Sequence, residues 1–276
     1  MQKDARQALG ALPSGDALLK LLGRKPLAAG KIRELRLPNR AQTLVVVGVL
    51  DAEAGAFARL ELAGRMARAA LAGQPRAIGV APAGFAGAAA DAAVEAGLSA
   101  LLAADFALPS FRSHPEPRRR LKSLQPFGTH QLDVSRIAAV AAGNDLARWL
   151  TAMPPNLLTP ARYRRLVQDL ARDAGLRTRF YDERALKRLG AGAFLAVTAG
   201  SATRDAGVLH VQYRPRKTPG APLALVGKGI CFDTGGTNLK AHKGMLDMHT
   251  DMAGSAVAFA TLLTLAQLDY PRPVDA

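Results

Sequence analysis

The run Thr43–Val49 (TLVVVGV) is apolar and mostly β-branched, as in a strand buried on both faces of a sheet. Phe57–Leu71 then carries apolar residues at helical spacing, Arg76–Ala81 (RAIGVA) reads as a second short strand, and Ala86–Leu98 as an Ala-rich helix. This alternation limits the fold more than any other feature. It predicts an α/β architecture with a largely parallel sheet and helices packed against it.

Ser110–Gln131 interrupts the pattern with Pro115, Pro117, Pro126 and the run Arg118-Arg119-Arg120, and reads as an irregular connection between domains. We expect an N-terminal α/β domain over residues 1–125 and a second over 133–276. In the second, Asp133 is placed to cap a helix running to Met153, with Pro154-Pro155 as its stop. Thr159-Pro160 opens another helix, closed by Gly175. Strands are expected at Arg177–Tyr181, Gly207–Tyr213 and Leu223–Val226, with a short helix at Glu183–Leu189 and a final one at Asp251–Leu268.

The balance of 37 basic against 22 acidic residues gives +15, enough to attract nucleic acid or an anionic membrane. The excess is spread out, +8 up to Leu132 and +7 after it, and no basic tail stands out. Cys231 is the only cysteine, so no intrachain disulfide forms. The polar start and the lack of an apolar run long enough to span a bilayer favour the cytoplasm and no membrane partner.

The chemistry concentrates in Val226–Ser255 (VGKGICFDTGGTNLKAHKGMLDMHTDMAGS), which begins where a buried strand ends, the usual place for ligands in open α/β sheets. Residue types alone leave two metal sites open. One uses His242, His249 and Asp251 as zinc ligands, the other Asp233 and Asp251 as hard oxygen donors. They also leave open a capping Asp and a glycine turn with no metal at all. Gly227-Lys228-Gly229 lacks the spacing of a phosphate loop, which speaks against a nucleotide-binding enzyme.

The segment resembles the leucyl aminopeptidase (cytosol aminopeptidase) family, whose members carry VGKG, FD(S/T)GG, a Lys shortly after, and then GM..M..DM.G. Here these are Val226-Gly227-Lys228-Gly229, Phe232-Asp233-Thr234-Gly235-Gly236, Lys240, Gly244-Met245, Met248 and Asp251-Met252-Ala253-Gly254. Leu146–Pro160 is similar to the family's helix followed by N-x-P-x-N-x-L-x-P, and Ala191–Ser201 resembles its G-M-G-x-x-L-A-V-x-x-G-S. The likeness extends over about Ala138–Leu268.

The resemblance implies a C-terminal metallopeptidase domain with a central mixed sheet. It implies a two-metal site for Mn2+ or Zn2+, or Mg2+. Lys228 would bind one metal through a neutral amine, Asp251 the same metal, and Asp233 both. Lys240 would stay protonated and stabilise the developing oxyanion. Met248 would line a pocket for an apolar N-terminal residue of a peptide, and the alternative role for Met245, Met248 and Met252 is core packing. Cys231 beside this loop reads as a small buried hydrophobe rather than a reactive thiol. A hexamer is implied as well. The family's later N-T-D-A-E-G-R-like stretch, which completes both metal sites, is absent from these 276 residues. The resemblance therefore implies a domain incomplete at its C-terminal end, with an open sheet edge, and a chain inactive by itself. A non-catalytic, DNA-binding or scaffold relative is the second expectation.

Overall fold

The computed structural model describes residues 3–276 apart from 13, 24–26, 52, 115–119 and 217–219. Pro115, Pro117, Arg118 and Arg119 of the expected connection, and part of the basic stretch 214–222, lie outside the described residues. The chain divides into two compact units, Met1–Ala141 and Ala142–Ala276.

The first unit opens with helices α1 (Lys3–Gly10) and α2 (Gly15–Leu22), then strands β1 (Ile32–Arg36) and β2 (Leu44–Gly48) and helix α3 (Ala56–Leu71). It continues with β3 (Ala77–Val80), α4 (Gly87–Asp105) and β4 (Ser123–Pro126). The α/β class holds, but the single parallel sheet does not. β1 and β2 pair antiparallel from Ile32↔Gly48 to Arg36↔Leu44, whereas β3 and β4 form a separate parallel pair. β2 is half-buried along its whole length, because a two-stranded ladder has no flanking strands to enclose it. β4 falls inside the stretch read as irregular. It is four residues long and ends on Pro126, below the length at which periodicity can be read.

Two small cores hold this unit. Leu9, Leu18, Leu22, Leu35 and Leu37 form one, and Val94, Leu98 and Ile137 the other. By length and composition alone α4 could cross a membrane, contrary to the sequence expectation. Its charged residues are engaged within the unit. Asp91 accepts from the backbone N–H groups of His130 (2.8 Å) and Gln131 (3.1 Å), and Glu95 pairs with Arg136 at 2.8 Å.

Helix α5 (Val134–Thr151) follows, capped by Asp133, whose Oδ1 accepts from the Arg136 N–H at 2.9 Å. α6 (Pro160–Asp173) starts on Pro160 as expected. Its cap differs, because the Thr159 hydroxyl makes no capping bond and Asp205 Oδ2 accepts from the Ala161 N–H instead, at 3.1 Å. After it come β5 (Arg177–Asp182), α7 (Glu183–Arg188), α8 (Gly192–Thr198), β6 (Gly207–Tyr213), β7 (Leu223–Ala224) and α9 (His242–Met245). A 3-10 turn over Met248–Thr250, helix α10 (Ala253–Gln267) and β8 (Val274–Asp275) complete the second unit. α10 begins two residues later than expected, because the 3-10 turn occupies the approach.

The sheet of this unit is mixed, in the order β5-β6-β8-β7. β6 runs antiparallel to β5 and β8, and β7 parallel to β8. Among the described residues β7 is bonded on one side only. One core of twelve buried residues sits between the sheet and helices α5, α6 and α10. α6 offers Tyr163, Val167 and Ala171 at a four-residue spacing, the buried stripe of an amphipathic helix. Leu150, Met252, Leu262 and Val274 are completely enclosed.

Candidate metal centre

After β7 the chain passes the start of α10. The Ser255 N–H donates to the Lys228 carbonyl at 2.8 Å. A side chain at Gly227 would run into the Ser255 backbone and come within 2.6 Å of the Gly254 carbonyl, so glycine is needed for this approach. Lys228 is thereby fixed beside Asp251, and its amine donates to both carboxylate oxygens, at 2.5 and 2.6 Å.

Asp233 heads a tight loop. Its Oδ1 accepts from the Gly235 N–H at 2.7 Å, and the loop closes where the Lys240 N–H donates to the Thr234 carbonyl at 2.8 Å. Gly235 has φ +93°, and a Cβ there would clash with the Asn238 carbonyl. The Lys240 amine lies 3.5 Å from Asp233 Oδ2. The Asp233 carboxyl is held below its ordinary pKa, first by the Gly235 N–H and then by the charges of Lys240 and Lys228.

The loop thus brings together two carboxylates and two amines, all facing solvent in part. Lys228 meets both oxygens of Asp251 and its charge reaches Asp233. One nitrogen and two carboxylates suit a borderline or hard divalent cation once Lys228 gives up its proton. The donor set fits a metal ion in kind, though among the described residues no group of three or more His, Cys, Asp or Glu gathers. That also rules out the histidine site, since His242, His249 and Asp251 are not brought together. His242 lies in α9 and His249 in the 3-10 turn, on separate short elements.

Of the methionines, Met252 is core, while Met245 and Met248 are half-exposed. Cys231 is buried, and burial pushes its thiol up to about 11, as an inert small hydrophobe should be. Two residues of this region escape a reading of the sequence. Tyr163 Oη and Ser255 Oγ lie 2.9 Å apart, Ser255 being the residue whose N–H donates to the Lys228 carbonyl, and Tyr163 shows in sequence only as part of an apolar helix stripe.

Residues 145–276 match the family described as "Cytosol aminopeptidase family, catalytic domain". The protein named "Probable cytosol aminopeptidase" of Parasynechococcus marenigrum (strain WH8102) is 34% identical over 95% of this chain and 52% of its own length. Among solved structures, the "Bottromycin maturation enzyme BotP in complex with Mn" superposes with a TM-score of 0.72 at 26% identity, covering 90% of this chain and 52% of that one. A tomato leucine aminopeptidase mutant gives the same TM-score at 24% identity, with 90% and 49% covered, and shows the shared fold alone. The chain spans about half the length of each of these three.

Proposed function

We propose, from the premise that residues 145–276 belong to the cytosol aminopeptidase family, that this chain carries part of the site of a metal-dependent aminopeptidase acting on peptides. The observation that carries the reading is the loop in which Lys228 meets both oxygens of Asp251 while Lys240 faces Asp233.

Lys228 and Asp251 would hold one divalent cation, and Asp233 would hold that one and a second. When bound, such cations supply Lewis-acid polarisation of the scissile carbonyl and activation of water. The site's remaining work falls to side chains. Lys240, an ammonium beside Asp233, donates to the oxygen on which charge builds as the peptide carbonyl becomes tetrahedral. Asp233 is kept ionised by the Gly235 N–H, ready to accept a cation without first losing a proton. Met248, half-exposed at the start of the 3-10 turn, lines the place of an apolar N-terminal side chain. Mn2+ is the cation we favour, in keeping with the manganese named for BotP. We place the protein in the cytoplasm as a homo-oligomer, hexameric by resemblance.

Two carboxylates and one amine do not fill two coordination spheres. The 276-residue chain is therefore inactive by itself, and hydrolysis needs further acids. The test is turnover of a leucine chromogenic amide with added Mn2+, beside Lys240→Ala. No turnover by this chain, with turnover restored when acid-bearing residues are supplied by a longer form, supports the reading. Turnover that Lys240→Ala leaves intact overturns the role of Lys240.

The +15 charge supports the second reading, a DNA-binding relative. It requires an affinity for duplex DNA that falls steeply with salt and ignores Lys240→Ala.

A further inference from the structure

We infer that Tyr163 and Ser255 are positioning residues that set where the Lys228 amine stands, an inference that rests on the reading of Lys228 and Asp251 as a cation site. Lys228 side-chain atoms are well exposed, so packing around the amine does not fix it; what is fixed is its backbone. That backbone is held by the bond from the Ser255 N–H to the Lys228 carbonyl and by the close passage of Gly227 over Gly254 and Ser255.

Ser255 is itself tied in two directions. Its hydroxyl lies 2.8 Å from the Met252 carbonyl, to which it donates, and 2.9 Å from Tyr163 Oη. With the serine proton committed to Met252, the tyrosine hydroxyl is the donor to Ser255 Oγ. Tyr163 is buried in the core on α6, and burial raises its phenol to about 12, so it remains a donor at any working pH. Asp251 directly precedes Met252, the N-cap of α10, whose side chain is completely enclosed. The chain of contacts therefore runs from α6 through Tyr163 and Ser255 to both ends of the Lys228–Asp251 pair. A buried donor that loses its partner is costly, so the pair Tyr163–Ser255 resists displacement of either element. Removing the tyrosine hydroxyl leaves α6 and its apolar contacts in place but takes away one of the two bonds that hold the Ser255 hydroxyl, and the loosened Ser255 lets Lys228 drift from Asp251.

The test uses the 276-residue chain and Tyr163→Phe, Ser255→Ala and the double variant. Without metal, two readouts are followed by mass spectrometry: exchange of the Ser255 amide, and the rate at which an acylating reagent modifies Lys228, with exposed Lys187 as internal standard. We expect Tyr163→Phe to speed both several-fold, moving Lys228 toward its rate in Asp251→Asn, while amides of α3 exchange as before. The double variant should match the Ser255→Ala change rather than multiply the two, because the Tyr163 hydroxyl acts only through Ser255 Oγ. A variant that only loosens the fold would instead raise exchange throughout the second unit and leave the ratio of Lys228 to Lys187 modification unchanged, which overturns the proposal. Mn2+ titration of the same proteins separates the two readings. Affinity lowered about fivefold by Tyr163→Phe, the equivalent of one ordinary hydrogen bond, joins the positioning role to the cation site. Mn2+ binding that Asp251→Asn does not affect breaks the cation site itself, whereas unchanged Lys228 modification in Tyr163→Phe breaks the positioning role alone.

Discussion

The two units solve the same packing problem differently. Met1–Ala141 relies on two short two-stranded ladders and two separate cores of five and three buried residues. Ala142–Ala276 gathers twelve buried residues from helices and a four-stranded sheet into one core. A divided core tolerates local loss, while a single one couples its elements, including β7 and α10, which flank the segment from Lys228 to Asp251. The proposed site sits on the second kind of scaffold, where small side-chain displacements are opposed by the whole unit.

This contrast can be broken most directly in the cores. Leu262→Ala, at a fully enclosed position, should destabilise the second unit by about 2–5 kcal/mol. The sole tryptophan, Trp149, packs against that core, so its fluorescence in a urea titration reports the loss. Val94→Ala in the first unit should cost only about 2 kcal/mol and shift the far-UV signal, not the Trp149 transition. A Trp149 midpoint that moves equally in both variants would mean the cores unfold as one. For cation binding, Asp251→Asn should lower Mn2+ affinity by more than the roughly tenfold typical of losing an outer partner. Asp91→Asn in the first unit, whose carboxylate serves backbone N–H groups, should leave it unchanged.

Asp275 gives a pH test of the second unit's sheet. Burial opposes its ionisation, but bonds from Arg214 (2.7 Å), Gln212 (3.1 Å) and His210 (2.7 Å) outweigh this and bring its pKa down to about 2. A depressed carboxyl pKa stabilises the fold above the ordinary value and loses that contribution as pH falls through the folded one. About 2 kcal/mol should therefore disappear between about pH 4 and about 2. Asp275→Asn should be less stable at neutral pH and flatter across that window, as followed by acid dependence of the urea midpoint. The smallest effect is expected at Val226→Lys. Val226 is 98% exposed, and the change should stay within about 0.5 kcal/mol.

Legibility in the sequence followed the length of the signal. α3, α5 and α6 are long and periodic, with marked ends, and were readable nearly to the residue. β7 was expected as Leu223–Val226 and is shorter, Leu223–Ala224, whereas β8 is two residues long, too short to show a period, and only the fold places it between β6 and β7. Lys228, Asp233 and Asp251, the candidate ligands, and Lys240, the candidate oxyanion donor, were open to proposal from the sequence because they stand in one segment, 228–251. Tyr163 was not, because its contact with Ser255 spans 92 residues and a buried tyrosine on a helix stripe looks like any core residue. Asp205 escaped for the same reason: it caps a helix start 44 residues earlier in the chain, where Thr159 is the obvious local candidate.

The place of β8 has a consequence for how the protein is made. Residues 274–275 enter the sheet between β6 and β7, pairing with residues 212–213 on one side and 223–224 on the other. On a ribosome the β5–β6 pair emerges first and must wait, with one side of β6 unpaired, until these residues arrive. An open strand of that kind is a template for other chains. Nascent protein is thus most vulnerable to misassociation during that interval. A chain released before residue 274 would retain the Lys228–Asp251 motif yet lack the strand that joins β7, from which the Lys228 loop departs, to the rest of the sheet.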